Sequence, residues 1–185
     1  MGKALLIIDV QKAILEGKGT PERQPVLDAA LDETVGRLRT LQDKARSAGI
    51  PVVVVQHDGP DGHRLATGTE GWEVRPELAP REGDFLVRKK SSDSFHETDL
   101  GTCLAQLGVS HLVVGGCMTQ YCVDTTVRRA VSLGYDVTLV ADGHMTADTA
   151  ILSHADIIAH HNDTLDGFDA GDAVVEVRPA ADISF

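Results

Sequence analysis

The sequence predicts an α/β fold in which helices cover both faces of a doubly wound, parallel β-sheet. Three observations support this: short apolar runs alternate with helical stretches along the 185 residues, the runs are apolar almost without interruption, and glycines follow three of the predicted helices. Strands that are apolar throughout are buried on both faces and need a helical layer on each side. We therefore expect three layers, α-β-α, in a single domain over residues 1–185.

Six apolar runs rich in β-branched residues are the predicted strands: Ala4–Ile8, Val52–Gln56, Phe85–Arg88, His111–Val114, Val137–Val140 and Val174–Val177. Four segments between them have helical spacing: roughly Pro25–Ala48, Leu100–Leu107, Val123–Leu133 and Ala147–Ala159. Gly49 and Gly108 follow the first two, where helices commonly end. The Gly- and Pro-rich stretch Asp58–Glu82 is predicted to be a long loop and a candidate active-site lid.

Cys122 lies where the fourth strand is expected to turn into the third helix. Gly115-Gly116 is expected to end the strand, and Val123, Val127 and Ala130 begin a helical spacing. The thiol would then lie in the first turn of a helix, where unpaired N–H groups and the positive end of the helix dipole favour the thiolate. Cys122 is therefore a candidate nucleophile.

Two charged residues follow other strands at the same edge of the predicted sheet. Asp9 comes directly after the first strand and Lys89 directly after the third. In open α/β sheets, ligands bind beyond the carboxyl ends of the strands, near the point where the strand order reverses. There a carboxylate can take the proton of a thiol, and an ammonium group can stabilise both anions.

Each of these residues has an ordinary structural alternative. Asp9 could be a turn or helix-capping residue, and Lys89 could be a solvated surface charge like its neighbours Arg88 and Lys90. Cys122 could be a small buried hydrophobic residue, as most free cysteines are. Cys117 is a rival nucleophile, whereas Cys103 lies in a helical apolar pattern and is expected in the core.

The composition limits the function classes. Seventeen basic against 28 acidic residues give a net charge of −11, which argues against nucleic acid or an anionic membrane as partner. Three cysteines without a CxxC pair favour reduced thiols in a cytoplasm. The first apolar run is too short for a signal peptide or a membrane span. No GxGxxG or GxxxxGK[ST] pattern is present, so we expect no dinucleotide cofactor.

Three blocks of the sequence together resemble the isochorismatase-like cysteine hydrolases, the superfamily of nicotinamidase and N-carbamoylsarcosine amidase. The blocks are Leu5-Leu-Ile-Ile-Asp9-Val-Gln11, Phe85-Leu-Val-Arg-Lys89 followed by Ser94–Leu100, and Gly115-Gly-Cys-Met-Thr-Gln-Tyr-Cys122-Val123. Ile157–Asn162 also fits members of this group, and the resemblance runs from residue 3 to about 168. Its nucleophile region and closing His-His-Asn are similar to those of streptothricin-type lactam hydrolases.

The resemblance implies a six-stranded sheet of order 3-2-1-4-5-6 and a catalytic triad of Asp9, Lys89 and Cys122. The family register selects Lys89, six residues before Phe95, over Lys90, and Cys122, three residues after Thr119, over Cys117. It also implies a cis peptide between Cys117 and Met118, and an oxyanion hole formed by the N–H groups of Met118 and Cys122. Members commonly form dimers or larger oligomers, so a homo-oligomer is expected.

Other polar and aromatic residues near the expected site are less clearly assigned. His57, Asp58, Asp61 and His63 lack the spacing of the nicotinamidase metal site, so we predict no catalytic metal and no cofactor. Gln11, Trp72, Phe95 and Tyr121 are candidate substrate-binding residues; for the three aromatic residues core packing is an equal alternative. The later histidines, His144 among them, are expected to pack or to form hydrogen bonds.

The predicted function is cysteine-dependent amide hydrolysis of a small molecule, through a thioester, at a carboxamide, ureido or lactam C–N bond. Asp9 would serve as base and then as acid, which requires a pKa not far from the working pH. One alternative is a vinyl-ether hydrolase of the isochorismatase type, which needs no cysteine nucleophile. The other is a non-catalytic, thiol-bearing oligomeric binding protein.

Overall fold

A computed structural model describes residues 2–185 as eleven helices and strands, with short single-turn helices between some of them. The strands are β1 (Gly2–Ile8), β2 (Val52–His57), β3 (Phe85–Lys89), β4 (Val109–Cys117), β5 (Asp136–Met145), β6 (Asp169–Ala170) and β7 (Ala173–Arg178). The helices are α1 (Gln24–Ser47), α2 (Leu100–Gln106), α3 (Asp124–Ser132) and α4 (His154–Leu165).

The sheet has the order β3-β2-β1-β4-β5-β7-β6, and all neighbours are parallel except β6 and β7. The order of the six predicted strands is confirmed, and β6 is an additional, seventh strand. It consists of two residues that pair antiparallel with β7 across a turn at Gly171. Because a two-residue strand leaves no alternating or continuous apolar pattern, the sequence does not reveal it.

The sheet separates two apolar layers. Along β1, Leu5 and Ile7 pack into the layer that contains α1, whereas Leu6 and Ile8 pack into the layer that contains α2 and α3. This alternation follows from the two-residue period of a strand. The predicted α-β-α layering is therefore confirmed. No helix within residues 2–185 combines the length and the apolar character that crossing a membrane requires.

Four predicted boundaries are wrong by three residues or more: the ends of β4 and β5 and both ends of α4. Strand β5 runs to Met145 rather than Val140, and α4 ends at Leu165 rather than Ala159. Strand β4 does not end at Gly115-Gly116 but continues to Cys117. A Cβ atom on Gly116 would lie 2.1 Å from the Ile8 carbonyl oxygen, and Gly116 has a φ of 132°. These glycines therefore allow close approach of neighbouring backbones rather than ending the strand.

The last helix begins later than predicted. Helix α4 starts at His154, not Ala147, and the Ser153 side chain caps it by accepting a hydrogen bond from the Asp156 N–H. The preceding Ile151 and Leu152 are apolar but exposed, at 88% and 41%. Because Ile151 and Leu152 are apolar, they fit the helical spacing and led to a predicted start that is too early. Both residues belong to the connecting loop.

Candidate active site

The carboxyl ends of the central strands bring Asp9, Lys89 and Cys122 together. Asp9 follows β1 directly, Lys89 is the last residue of β3, and Cys122 lies in the turn that follows β4. The backbone at Asp9 has a φ of 52°, a left-handed conformation that aspartate tolerates better than most residues. Its N–H donates to the Val55 carbonyl oxygen at 2.9 Å, which ties Asp9 to β2.

Asp9 and Lys89 form an ion pair that is almost completely shielded from solvent. Lys89 Nζ lies 2.6 Å from Asp9 Oδ2, and the two side chains are 0% and 1% exposed. Lys89 Nζ also donates to the Ser91 carbonyl oxygen at 2.8 Å. Within residues 2–185, neither Asp9 oxygen has a further hydrogen-bond donor. Burial raises the pKa of Asp9, and the charge of Lys89 only partly opposes this.

The Cys122 thiol lines the same cavity as Asp9, close enough to the Asp9–Lys89 pair for the charges of both residues to act on it. Burial, and then the Asp9 carboxylate, raise the pKa of Cys122 to about 11. At neutral pH only about one molecule in ten thousand would carry the thiolate. The prediction that the resting sulfur is ionised is therefore wrong.

The reason lies in the local backbone. Cys122 is not in the first turn of α3 but inside a π-helical turn, Thr119–Val123, that precedes it. Burial and the adjacent carboxylate therefore outweigh any effect of the helix dipole on the thiol.

The other two cysteines lie outside this cluster. Cys117 is the last residue of β4, is completely buried in the apolar layer beside α1, and has a pKa that burial raises strongly. Cys103 lies in α2 and is partly exposed, and burial raises its pKa as well. Cys122 is the cysteine that adjoins both a carboxylate and an ammonium group.

The peptide bond between Cys117 and Met118 is cis, as the resemblance implied. Within residues 2–185, the Met118 N–H has no hydrogen-bond acceptor, while the Met118 carbonyl oxygen accepts from Tyr121 and Val123. The Met118 side chain lines the same cavity as Cys122. An N–H without an acceptor beside a thiol is a group that can receive a developing oxyanion.

A buried network holds the turn that carries Cys122. Thr119 Oγ1 lies 2.9 Å from His144 Nδ1, and His144 Nε2 lies 2.9 Å from Asn162 Oδ1. Asn162 uses its Nδ2 to donate to the Ala141 carbonyl oxygen, so its Oδ1 accepts from His144. His144 is then the Nε2–H tautomer and accepts the Thr119 hydroxyl. Burial lowers the pKa of His144 to about 4, which keeps it neutral. The expected hydrogen-bonding role of a late histidine thus falls to His144.

A cavity of about 210 Å³ opens directly onto Asp9 and Cys122. Its walls come from the segment after β1, the end of β2, the lid loop and the π-helical turn. The remaining lining residues are Ile14, Lys18, His57, His63, Arg64, Leu65, Met118 and Tyr121. A cavity of this volume accommodates a small molecule.

The four candidate substrate-binding residues have different surroundings. Tyr121 lines the cavity and is 52% exposed. Gln11 is completely buried, and its amide bonds both the His57 backbone and the Trp72 carbonyl oxygen, so it fastens the lid to β2. Trp72 donates to Asp58 and lies under Arg88.

Phe95 is the fourth candidate, and its ring stacks on Tyr135 with centroids 5.8 Å apart. Gln11, Trp72 and Phe95 do not line the cavity. Their polar or aromatic groups are already engaged by neighbouring residues.

Lys18 and Arg64 are lining residues that the sequence reasoning did not single out. Arg64 belongs to the predicted lid, but so do Arg75 and Arg81. Composition could not distinguish them, because an irregular loop has no periodicity from which side-chain direction can be inferred.

His57 and His63 lie close together, with ring centroids 6.1 Å apart. Burial and nearby cations lower the pKa of both, that of His57 to about 4. Across residues 2–185, no group of three or more His, Cys, Asp or Glu residues is arranged to hold a metal ion.

The fold and this site define a class: an α/β protein with a thiol beside a buried aspartate–lysine pair at the switch point of a parallel sheet. The chain belongs to the isochorismatase family, because the family's isochorismatase domain matches residues 3–160. A crystal structure of an isochorismatase from Pseudomonas putida KT2440 superposes with a TM-score of 0.85 at 33% identity, covering 98% of this chain and 89% of that one.

Two curated relatives carry names that describe hydrolysis. A streptothricin hydrolase of Streptomyces noursei is 40% identical over 147 residues, which is 79% of this chain and 50% of that protein. The ureidoacrylate amidohydrolase RutB of Rhizobium rhizogenes (strain K84 / ATCC BAA-868) is 26% identical over 168 residues, 75% of this chain and 68% of that protein. The chain thus spans about half the length of the streptothricin hydrolase that it matches.

Proposed function

We propose that this protein is a cysteine-dependent amidohydrolase that cleaves a carboxamide, ureido or lactam C–N bond of a small molecule. The observation that carries the proposal is that the Cys122 thiol and Asp9 line one cavity, where Lys89 Nζ pairs with the buried Asp9 carboxylate at 2.6 Å. Relatives named streptothricin hydrolase and ureidoacrylate amidohydrolase support hydrolysis of a C–N bond.

In the proposed first step, Asp9 takes the proton of Cys122 as the sulfur attacks the substrate carbonyl carbon. A C–S bond forms, the carbonyl π electrons move to oxygen, and the N–H groups of Met118 and Cys122 receive the oxyanion. The Lys89 ammonium group stabilises the Asp9 carboxylate before the proton transfer and the negative charge on the sulfur during it. A carboxyl group whose pKa burial has raised is a stronger base than an ordinary aspartate, which suits it to this transfer.

In the second step, the carbonyl re-forms and the C–N bond breaks, while Asp9 returns the proton to the departing nitrogen. The acyl group remains on Cys122 as a thioester. Asp9 then takes a proton from water, the hydroxide oxygen attacks the thioester, and the sulfur leaves with that proton. One carboxyl group thus serves as base, acid and base again.

The experiment compares Cys122→Ala with Cys103→Ala, a matched control because Cys103 lies in α2 away from the cavity. Amine or ammonia release is measured across a panel of amides, ureas and lactams. We expect Cys122→Ala to lose activity by a factor of 10³ or more, on the order of other lost nucleophiles, and Cys103→Ala to retain it. Intact-mass measurement of quenched wild-type reactions should detect an acyl adduct at Cys122.

Full turnover by the Cys122→Ala protein would contradict the proposal. Cleavage of a vinyl ether by both the wild type and Cys122→Ala, without amine or ammonia release from the panel, would favour the vinyl-ether hydrolase alternative. Slow, unselective alkylation of all three cysteines by iodoacetamide, with no turnover of any substrate, would favour the non-catalytic alternative. Loss of activity in both cysteine variants with unchanged folding would also contradict the assigned nucleophile.

A further inference from the structure

We propose that the substrate carries a carboxylate, which Arg64 and Lys18 bind at the wall of the cavity. This inference rests on the proposed function and adds the chemical class of its substrate. Its support comes from the position of Arg64, from its lack of an ionic partner, and from the balance of charge around the cavity.

Arg64 is held in place and directed toward the reacting groups. Its Nε donates to the Ile14 carbonyl oxygen at 3.1 Å, and one terminal nitrogen lies 3.9 Å from Met118 Sδ. The other terminal nitrogen lies 3.4 Å from His63 Nε2. Arg64 and Cys122 line the same cavity. A group on the substrate that meets Arg64 can therefore place a second group at the sulfur.

Arg64 lacks the ionic partner that most arginines of this protein have. Nine of the eleven arginines lie within 4.0 Å of a carboxylate oxygen: Arg23, Arg37, Arg46, Arg75, Arg81, Arg88, Arg128, Arg129 and Arg178. Within residues 2–185, Arg39 and Arg64 do not, and neither does Lys18. Arg39 is exposed to solvent on α1, whereas Arg64 is half-buried in the cavity wall.

This difference matters because partial burial removes water from the guanidinium without supplying an anion. An unpaired cation is costly in such a place unless a ligand provides the counter-charge. In a chain with a net charge of −11, carboxylates are abundant, yet none within residues 2–185 lies within 4.0 Å of this guanidinium. A bound carboxylate would complete the site.

The charges around the cavity favour an anion. Asp9 is the acidic lining residue, and Lys89 neutralises it at 2.6 Å. His57 and His63 are uncharged near neutral pH because the pKa of each is lowered. Arg64 and Lys18 therefore leave the cavity with a positive balance inside an acidic protein. Such a local field attracts anions and orients them before the reaction.

The geometry favours a carboxylate over other anions. The planar guanidinium presents paired N–H donors that match the two oxygens of a carboxylate. Ile14, Leu65, Met118 and Tyr121 supply apolar walls for a short hydrocarbon linker. The inferred substrate is therefore a small amide or ureido acid, with its carboxylate at Arg64 and its carbonyl carbon at Cys122.

The first test measures substrate selectivity. N-carbamoyl amino acids and short amide acids are each paired with their methyl esters, and the ratio of kcat/KM for acid over ester is determined. The proteins are wild type, Arg64→Gln, Arg64→Lys, and Arg39→Gln as a control that removes the same charge elsewhere. We expect Arg64→Gln to lower the ratio roughly tenfold to a hundredfold, as for a lost charge-assisted hydrogen bond. Arg64→Lys should give an intermediate ratio, and Arg39→Gln the wild-type ratio.

The second test does not require turnover. Iodoacetate and iodoacetamide alkylate thiols alike but differ in charge, so their rate ratio at Cys122, measured on the Cys122 peptide by mass spectrometry, reports the local field. Arg64→Gln should lower the iodoacetate-to-iodoacetamide ratio about threefold to tenfold, the effect of one charge in partly solvated protein. Arg64→Lys should restore most of the wild-type rate ratio. This result would separate the effect of the positive charge from the effect of losing the Arg64 hydrogen bond to Ile14.

The outcomes of the two tests distinguish the two proposals. If Arg64→Gln and Arg39→Gln have equal acid-over-ester ratios of kcat/KM and equal iodoacetate-to-iodoacetamide rate ratios, the carboxylate inference is overturned. The amidohydrolase proposal would remain intact. If the wild-type protein cleaves neither the acids nor the esters, the amidohydrolase proposal is overturned. If the preference of Cys122 for iodoacetate is also lost in Arg64→Gln, the anion site is retained.

Discussion

Replacing Lys89 with methionine should destabilise the fold strongly, because it leaves the Asp9 carboxylate buried without its counter-ion. The two side chains are 0% and 1% exposed and 2.6 Å apart, so solvent screens the pair little. At an effective dielectric constant of about 20, this separation corresponds to an attraction of about 6 kcal/mol. Removing the ammonium group also removes its desolvation cost, so the expected loss in the free energy of unfolding is about 3–5 kcal/mol.

The assay is urea denaturation of Lys89→Met beside Lys90→Met, a control at the adjacent, exposed lysine. With a slope of about 2 kcal/mol per M of urea, the Lys89→Met midpoint should fall by about 1.5–2.5 M. The Lys90→Met midpoint should stay close to that of wild type. The double variant Asp9→Asn/Lys89→Met removes both charges, and should be less destabilised than the sum of its single variants.

The difference in the free energy of unfolding between wild type and Lys89→Met should become smaller in acid. Burial raises the pKa of Asp9 above 3.8, and loss of Lys89 raises it further. A raised folded-state pKa gives stability that is present below the unfolded pKa and is lost as pH rises through the folded pKa. Lys89→Met should therefore lie closer to wild type at pH 4 than at pH 8. A loss below about 1 kcal/mol at pH 8, or a deficit that grows in acid, would refute the reasoning.

Three further predictions follow from the geometry of the site. Asp9→Asn should lower the pKa of Cys122 from about 11 and speed its alkylation at pH 8, about tenfold per unit; unchanged alkylation would show that the carboxylate does not hold the thiol proton. His144 has a pKa lowered to about 4, so wild type should lose about 3 kcal/mol of stability as pH falls from 6.5 to 4. This loss should be missing from the urea midpoints of His144→Gln; an equal loss in that variant would exclude His144 as the source. Gly116→Ala should lower the free energy of unfolding by about 3 kcal/mol or more, because its Cβ would lie 2.1 Å from a β1 carbonyl oxygen. Gly36→Ala, in open space on α1, should raise it by about 0.5–1 kcal/mol. Similar urea midpoints for the two variants would refute the steric argument.

The sequence predicts the sheet well because buried parallel strands have a direct signature. Runs such as Val52–Gln56 are apolar throughout, and the observed β2 differs from this prediction by one residue. The positions of Asp9 and Lys89 follow from those runs, because residues that end parallel strands share one edge of the sheet. Lys89 and Lys90 are distinguished by the spacing to Phe95 that the family resemblance implies. In the structure, Lys89 is buried and Lys90 is exposed.

Other features of the site have no periodic signature. The π-helical turn at Cys122 is defined by i→i−5 hydrogen bonds, and a single such turn does not alter the spacing of apolar residues. The high pKa of the thiol depends on burial and on the carboxylate of a distant segment, and neither can be obtained from the residues beside Cys122. The direction of Arg64 depends on its hydrogen bond to Ile14, which is fifty residues away along the chain.

A thiol pKa of about 11 is compatible with the proposed reaction because the proton does not pass to bulk water. At rest, the cluster holds the Asp9 carboxylate, the Lys89 ammonium and a neutral thiol, with no net charge. Moving the proton from Cys122 to Asp9 gives a thiolate, the same ammonium and a neutral carboxyl, again with no net charge. The cost of burying a new charge is therefore avoided, whereas loss of the proton to solvent would incur it. In Lys89→Met both states carry a buried negative charge, so that variant should lose turnover even where it remains folded.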